Sequence, residues 1–385
     1  MNKLIPLLAF SILLLVPAGT QNAFAVPSVP AGFSVSNFAS GLDEPVGLAF
    51  DSSGNLFAVN SKSFFSVTFP IPDSNIIKIT PGGIQSIFVS GLKGPGYVAI
   101  DAADNVWVSI EDGDEAGVAE DIQKYDSSGS FVTSITTITG MNGLEAISEP
   151  GSVRIAQGGF GSDPDIFFTT RDGVAPNPDG PYRVFDSSTS PPSIFPISIP
   201  PEVTGSFVFN FGPGGSSSFG SDLYVETFDD LDSIDPNAIN AIYRVTPAGS
   251  ATLLTTSSAL DLAINPSTSN AFGDFLYFTS GADLNKMDSS GIVTTFATGL
   301  TAALGLAFGP DGNLYLGDGL TGDIWKIEPL DIDTDTGQVI GGEIISIETT
   351  SLLLASAQSS SWMIPVVLSV LGIGLFVVSR KSKNS

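Results

Sequence analysis

Leu304-Gly-Leu-Ala-Phe308, Gly309-Pro-Asp-Gly-Asn313, Leu314-Tyr-Leu316 and Ile324-Trp-Lys-Ile327 follow one another in the last third of the chain. The first, third and fourth stretches are short apolar runs that suit strands. The second is a turn, with glycines available for positive φ and an Asp able to bond its own backbone. The same order stands near the start as Val46-Gly-Leu-Ala-Phe50, Asp51-Ser-Ser-Gly-Asn55, Leu56-Phe-Ala-Val59 and Ile76-Ile-Lys-Ile79.

Working outward, the third strand marks the register. It recurs at 122–125, 182–185, 242–245 and 284–287, and each copy carries a basic residue: Lys78, Lys124, Arg183, Arg244, Lys286 and Lys326. The bland reading of this residue is a stem that covers a neighbouring strand while its charge meets an acidic surface. Most copies run into a turn such as Asp126-Ser-Ser-Gly129, then into a fourth strand. Second strands are expected to begin near Leu56, Val106, Ile166, Leu223, Leu276 and Leu314, at spacings of 50, 60, 57, 53 and 38 residues. No stretch between Gly32 and Pro329 has helical periodicity. Four strands repeated at about 40–50 residues predict an all-β fold, a six-bladed β-propeller over residues 26–329. The last unit lacks a fourth strand, and Phe33-Ser-Val-Ser-Asn-Phe-Ala-Ser-Gly-Leu42 matches the fourth-strand end Phe296-Ala-Thr-Gly-Leu300. The N-terminal strand is therefore expected beside 324–327, closing the propeller and removing an open edge.

The Gly-Leu-Ala-Phe, Pro-Asp-Gly-Asn-Leu-Tyr and Ile-x-Lys-Ile segments resemble NHL-type six-bladed β-propellers and, more loosely, the gluconolactonase (senescence marker protein) family. That second resemblance implies a divalent metal held by Glu, Asn and Asp at one end of the channel. Glu44, before Pro45, is similar to the family's Glu ahead of strand one, and Asp318, after Leu314-Tyr-Leu-Gly, resembles its Asp after the Leu-Tyr strand. Ala303-Leu304 stands where the family has Asn, and the Trp that follows its Glu-Pro is absent.

The ends of the chain predict export and anchoring. Residues 1–25 read as a signal peptide: Lys3, an apolar run from Leu4 to Pro17, and Ala23-Phe24-Ala25 as the cleavage site. Trp362 to Ser379 is an uncharged stretch of 18 residues, about 27 Å as a helix, and predicts a transmembrane helix. Residues 380–385 are a basic tail, with Arg380, Lys381 and Lys383 expected in the cytoplasm. The segment 352–383 resembles the anchors of archaeal surface proteins; removal of the tail as a sorting signal is the alternative. Residues 330–361 read as a spacer, acidic first and then Ser/Thr-rich. The expected location is the extracytoplasmic face of the cell membrane.

Composition excludes several chemistries. The chain has 14 basic and 40 acidic residues; four of the basic ones, Lys3, Arg380, Lys381 and Lys383, lie in the end segments, which leaves 10 against 40, a formal charge of −30. Such a surface repels nucleic acid. With no Cys, no disulfide holds the fold. With no His, the Ser-His-Asp and Cys-His nucleophiles and a histidine base are ruled out.

On the predicted strands, loops leading into strand one and loops leaving strand two gather carboxylates at one face. Glu44, Glu111, Asp112, Glu226 and Asp318 are the candidate metal ligands, with calcium or another divalent cation as the cofactor; nothing points to a nucleotide or haem. The alternative is that long loops are simply polar. Two function classes stay open: a surface-anchored binding or scaffold module for an extracellular protein, glycan or small molecule, and a metal-dependent hydrolase working without His or Cys. No catalytic residue is singled out.

Overall fold

The computed structural model describes residues 26–62, 64, 70–111, 120–140, 143–147, 150–157, 160, 165–170, 180–184, 193–194, 206–227 and 240–330. The chain divides into a unit of Met1–Pro329 and a second of Leu330–Ser385. The expected signal peptide, membrane helix and basic tail, and the spacer beyond Leu330, lie outside the described residues.

The strands run β1 (Phe33–Ala39), β2 (Glu44–Phe50), β3 (Leu56–Ser61), β4 (Asp73–Ile79), β5 (Gln85–Lys93), β6 (Pro95–Ile100), β7 (Val106–Ile110), β8 (Asp121–Tyr125) and β9 (Phe131–Ile135). Then come β10 (Thr137–Gly140), β11 (Gly143–Ala146), β12 (Pro150–Ile155), β13 (Ile166–Thr170), β14 (Gly180–Val184), β15 (Ser193–Ile194), β16 (Ser206–Phe211), β17 (Leu223–Thr227), β18 (Ala241–Val245) and β19 (Ala251–Thr255). The last are β20 (Asp261–Ile264), β21 (Leu276–Ser280), β22 (Asp283–Met287), β23 (Val293–Ala297), β24 (Ala303–Phe308), β25 (Leu314–Asp318) and β26 (Asp323–Pro329).

These strands build an all-β propeller. Five sheets have four strands each: β2–β5, β6–β9, β16–β19, β20–β23, and β24–β26 with β1. The remaining sheet departs from the repeat, with six strands in the order β11-β10-β15-β14-β13-β12. Its fourth strand, β15, is only Ser193–Ile194, followed at once by residue 195 and Pro196 and preceded by Pro191-Pro192. Proline offers no N–H to a ladder. The β10–β11 hairpin pairs along its free side instead. The first strands β2, β6, β12, β16, β20 and β24 pack against one another in sequence and around to β2, and each is the edge of its sheet. Second strands start at the residues the repeat assigned to them. β1 pairs antiparallel with β26, Val35 opposite Ile327 and Ser36 opposite Lys326, as expected of the N-terminal strand.

The repeated basic residue acquires a specific partner. In every unit it stands opposite an aromatic of strand two: Phe57 with Lys78, Trp107 with Lys124, Phe167 with Arg183, Tyr224 with Arg244, Tyr277 with Lys286 and Tyr315 with Lys326. Lys124 Nζ lies 4.6 Å from the Trp107 ring centre and 3.7 Å from Asp101, and Lys78 Nζ lies 4.9 Å from the Phe57 ring and 3.1 Å from Asp51. In these two units the cation covers the ring face and its charge meets the Asp of the strand-one turn. That Asp also closes the turn: Asp51 Oδ1 accepts from the N–H groups of Ser53 and Asn55, and Asp101 Oδ1 from those of Ala103 and Asn105.

Candidate functional site: the axial latch

The inner strands set the site. Leu48, Val98, Val153, Phe209, Leu262 and Leu306 are each paired with the third residue of a second strand, so they mark equivalent positions. One residue earlier stand Gly47, Tyr97, Ser152, Val208, Asp261 and Gly305; one residue later stand Ala49, Ala99, Arg154, Asn210, Ala263 and Ala307. Alternation along a strand sends both of these sets to the same side. Four positions of the later set are Ala, and the exceptions, Arg154 and Asn210, are in neighbouring sheets.

Three consecutive residues at the start of β20 receive side chains from other sheets. The Ala259 N–H donates to Glu226 Oε1 at 3.2 Å, Tyr97 Oη donates to the Leu260 carbonyl at 2.5 Å, and Arg154 Nη2 donates to Asp261 Oδ1 at 2.5 Å. Asp261 Oδ2 accepts from the Leu306 N–H of the last sheet at 2.9 Å. The sheets holding β6, β12, β17 and β24 are thus tied to the start of β20. Tyr97 is 1% exposed, Asp261 and Glu226 0%. Burial pushes the Asp261 carboxyl up, offset only in part by Arg154 and the Leu306 N–H. The Tyr97 phenol is driven well above its usual value, by burial first and then by the charge of Asp261, with Glu226 and Glu111 adding to it. Burial raises Glu226 to about 8, against the weaker opposing pull of the Ala259 N–H. Its Oε2 has no hydrogen-bond partner.

Of the five candidate metal ligands, the four that are described are not gathered into one group. Glu226 and Glu111 lie within electrostatic reach of Tyr97. Glu44 Oε2 accepts from the Phe64 N–H at 2.8 Å, within its own sheet. Asp318 is turned inward: its oxygens accept from the N–H groups of Thr301, at 3.0 Å, and Ala302, at 2.9 Å, and from the Thr301 hydroxyl. Asp112 lies outside the described residues. The physical reason is strand parity. Glu226 is the fourth residue of β17 and Asp318 the fifth of β25, so the two side chains leave opposite faces of equivalent strands. Among the described residues no group of three or more acidic side chains is placed to share a metal ion. Of the two residues that the family resemblance assigns to the metal, Glu44 is bonded by the Phe64 N–H and Asp318 caps the 301–302 turn.

Arg154 and Tyr97 are not among the candidates drawn from the sequence. The signal was present: at the Ala of the Leu-Ala-Phe repeat, 153–155 reads Val-Arg-Ile.

Beyond the latch, the inner strands enclose an axial pocket of about 330 Å³ whose lining includes Ala49, Ala99, Arg154, Gln157, Asn210 and Ala307. It opens toward the turns between strands one and two, at the opposite ends of the inner strands from Glu44. An outer cavity of about 730 Å³ shares Phe50, Gln157 and Phe308 with it and reaches Asp51, Asp101 and Asp104.

No protein-family model and no curated protein matches the chain. Solved structures do. A gluconolactonase from Xanthomonas campestris superposes with a TM-score of 0.57 at 13% identity, over 79% of this chain and 94% of that one. An auxiliary nutrient-binding protein from Bacteroides thetaiotaomicron gives 0.53 at 12% identity, over 77% of this chain and 76% of that one. A protein described as a putative glucose dehydrogenase from Thermus thermophilus gives 0.52 at 13% identity, over 77% and 100%. At these identities the likeness establishes the propeller fold and leaves chemistry to the site.

Proposed function

We propose that this chain is a membrane-anchored, extracytoplasmic six-bladed propeller, counting the six-stranded sheet as the sixth blade, that serves as a binding or scaffold module. The observation that carries the reading is the axial latch. Arg154 and Asp261 neutralise each other across two sheets, Tyr97 reaches the Leu260 carbonyl ahead of β20, and Asp318 caps the 301–302 turn of its own sheet, so these groups serve the fold. A closed ring of sheets is a platform for recognition, and the likeness to a nutrient-binding propeller agrees with that use. The apolar stretch 362–379 and the Ala-x-Ala site at 23–25 support the location. Protease applied to intact cells is expected to release a soluble propeller cut in the spacer between 330 and 361. Complete protection of the propeller in intact cells rules the location out. The released propeller is expected to return offered lactones unhydrolysed, with or without calcium; turnover refutes the binding reading.

The second reading is a divalent-metal hydrolase of the gluconolactonase type, favoured by the unpartnered Oε2 of Glu226 and by the likeness to a gluconolactonase. A rise in melting temperature with millimolar calcium, beyond that given by sodium chloride at equal ionic strength, is its test.

A further inference from the structure

The axial pocket has a composition that selects its occupant. Its wall is a ring of small side chains, Ala49, Ala99, Ala263 and Ala307, which leaves the space open, while Phe50 and Phe308 flank the mouth. Its polar groups are mainly donors. Arg154 uses Nη2 on Asp261 and Nη1 on the Val153 carbonyl. A guanidinium has about five N–H donors, so the rest of its fork is left for the pocket. The Asn210 amide is held by Leu262 and Phe211, at 2.7 and 2.8 Å, and orients its remaining N–H. Gln157 is exposed at the rim. The inner strands bring bare edges of backbone N–H and C=O to the same space.

Charge narrows the class. Arg154 and Asp261 form a pair of no net charge at the floor, which favours neither a cation nor an anion, and the outer cavity carries Asp51, Asp101 and Asp104. Lys78 and Lys124 offset the first two, whereas the Asp104 carboxylate accepts from the Ser52 hydroxyl and N–H, at 2.7 and 2.8 Å. A pocket of this size, with small side chains in its wall and a few oriented polar groups, is a form small-molecule sites take.

We infer that the axial pocket binds a small neutral molecule rich in hydroxyl oxygens, of the size of one sugar ring, seated on Arg154, Asn210 and Gln157. The inference deepens the binding-module reading by naming its site and ligand class. Saturation-transfer NMR on the full-length chain in detergent compares three probes built on one six-membered carbon ring, myo-inositol, cyclohexanol and cyclohexanecarboxylate, each at about 1 mM. Inositol is expected to give the strongest transfer. Ala307→Phe, which fills the ring, is expected to abolish it. Gln157→Ala, at an exposed position that leaves the fold alone, is expected to weaken it about fivefold, the effect of one lost hydrogen bond. Equal transfer to cyclohexanol means apolar filling only and overturns the inference. So does a preference for the carboxylate, which makes this an anion site, and so does absence of transfer to inositol. Inositol transfer untouched by both substitutions overturns this site while leaving the binding-module reading standing. That reading falls separately, on lactone turnover.

Discussion

Arg154 Nη2 stands 2.5 Å from Asp261 Oδ1, although the residues belong to inner strands of different sheets, 107 positions apart. The Arg154 side chain is 14% exposed and that of Asp261 0%, so neither charge is well hydrated. Breaking such a pair from one side strands the other charge, at about 3–5 kcal/mol. Arg154→Met is therefore expected to lower stability by that amount in urea unfolding. Arg154→Met combined with Asp261→Asn is expected to recover most of the loss, since the residual amide still accepts from the Leu306 N–H. A double variant no more stable than the single one shows that the pair is not coupled.

Glu226 makes stability depend on pH in a defined window. Its carboxyl rises from 4.5 to about 8 through burial. The unfolded chain then gives up this proton at lower pH than the folded one. Its contribution is fully present below about pH 4.5 and is lost progressively as pH climbs to about 8, at roughly 1.4 kcal/mol per pH unit. Glu226→Gln keeps the shape and removes the titration. The difference between wild type and variant should be flat below the window, change through it and level off above. Parallel stability curves from pH 4 to 9 (about the span of the window) would mean that Glu226 titrates normally.

Much of the fold was legible because the repeat is local. Leu-Ala-Phe, an Asp-led turn and an apolar second strand specify a hairpin without help from distant residues, and all six second strands fall in place. The sheet holding β10–β15 was less legible: its 60-residue spacing announced extra chain, but nothing local said that the excess would pair beyond a two-residue fourth strand. The candidate site was read least well. Counting carboxylates by loop ignored whether each points along the axis or into its own blade, which depends on parity at the end of a strand. Glu226 and Asp318 differ by one residue in that respect, and one became a buried acid while the other became a turn cap. The Tyr97 contact with Leu260 spans 163 residues and exists only once the ring closes.

Ring closure has its own test at Gly322. This residue has φ +69, and a Cβ on it would meet the Leu42 carbonyl oxygen at 1.8 Å. The Leu42 N–H in turn donates to the Gly322 carbonyl at 3.0 Å. Gly322→Ala must displace the chain that leads from β1 into β2. Gly312 is the matched control: its φ is +78, with nothing within 4 Å. Gly312→Ala is expected to cost only the left-handed conformation, about 1–2 kcal/mol. Gly322→Ala should cost clearly more by thermal unfolding, and equal losses would show that the contact with Leu42 does not matter.

The strand β1 completes the last sheet from the other end of the chain. Phe33 packs on Phe272 and Phe296 with ring centres 4.9 and 5.0 Å apart, and Phe38 packs edge-on against Tyr315 at 4.9 Å. Deleting residues 26–42 strips these contacts and exposes the N–H and C=O groups of β26 along its whole length. An open edge next to Trp325, which is 6% exposed in the intact sheet, is a template for another chain. The truncated protein is expected to self-associate in sedimentation and to lose its cooperative unfolding transition. A synthetic peptide of residues 33–42 should bind in trans by strand addition, shift the Trp325 fluorescence back and restore a monomer; a scrambled peptide should not. Truncated protein that stays monomeric with an unchanged unfolding midpoint would mean that the ring holds without its closing strand.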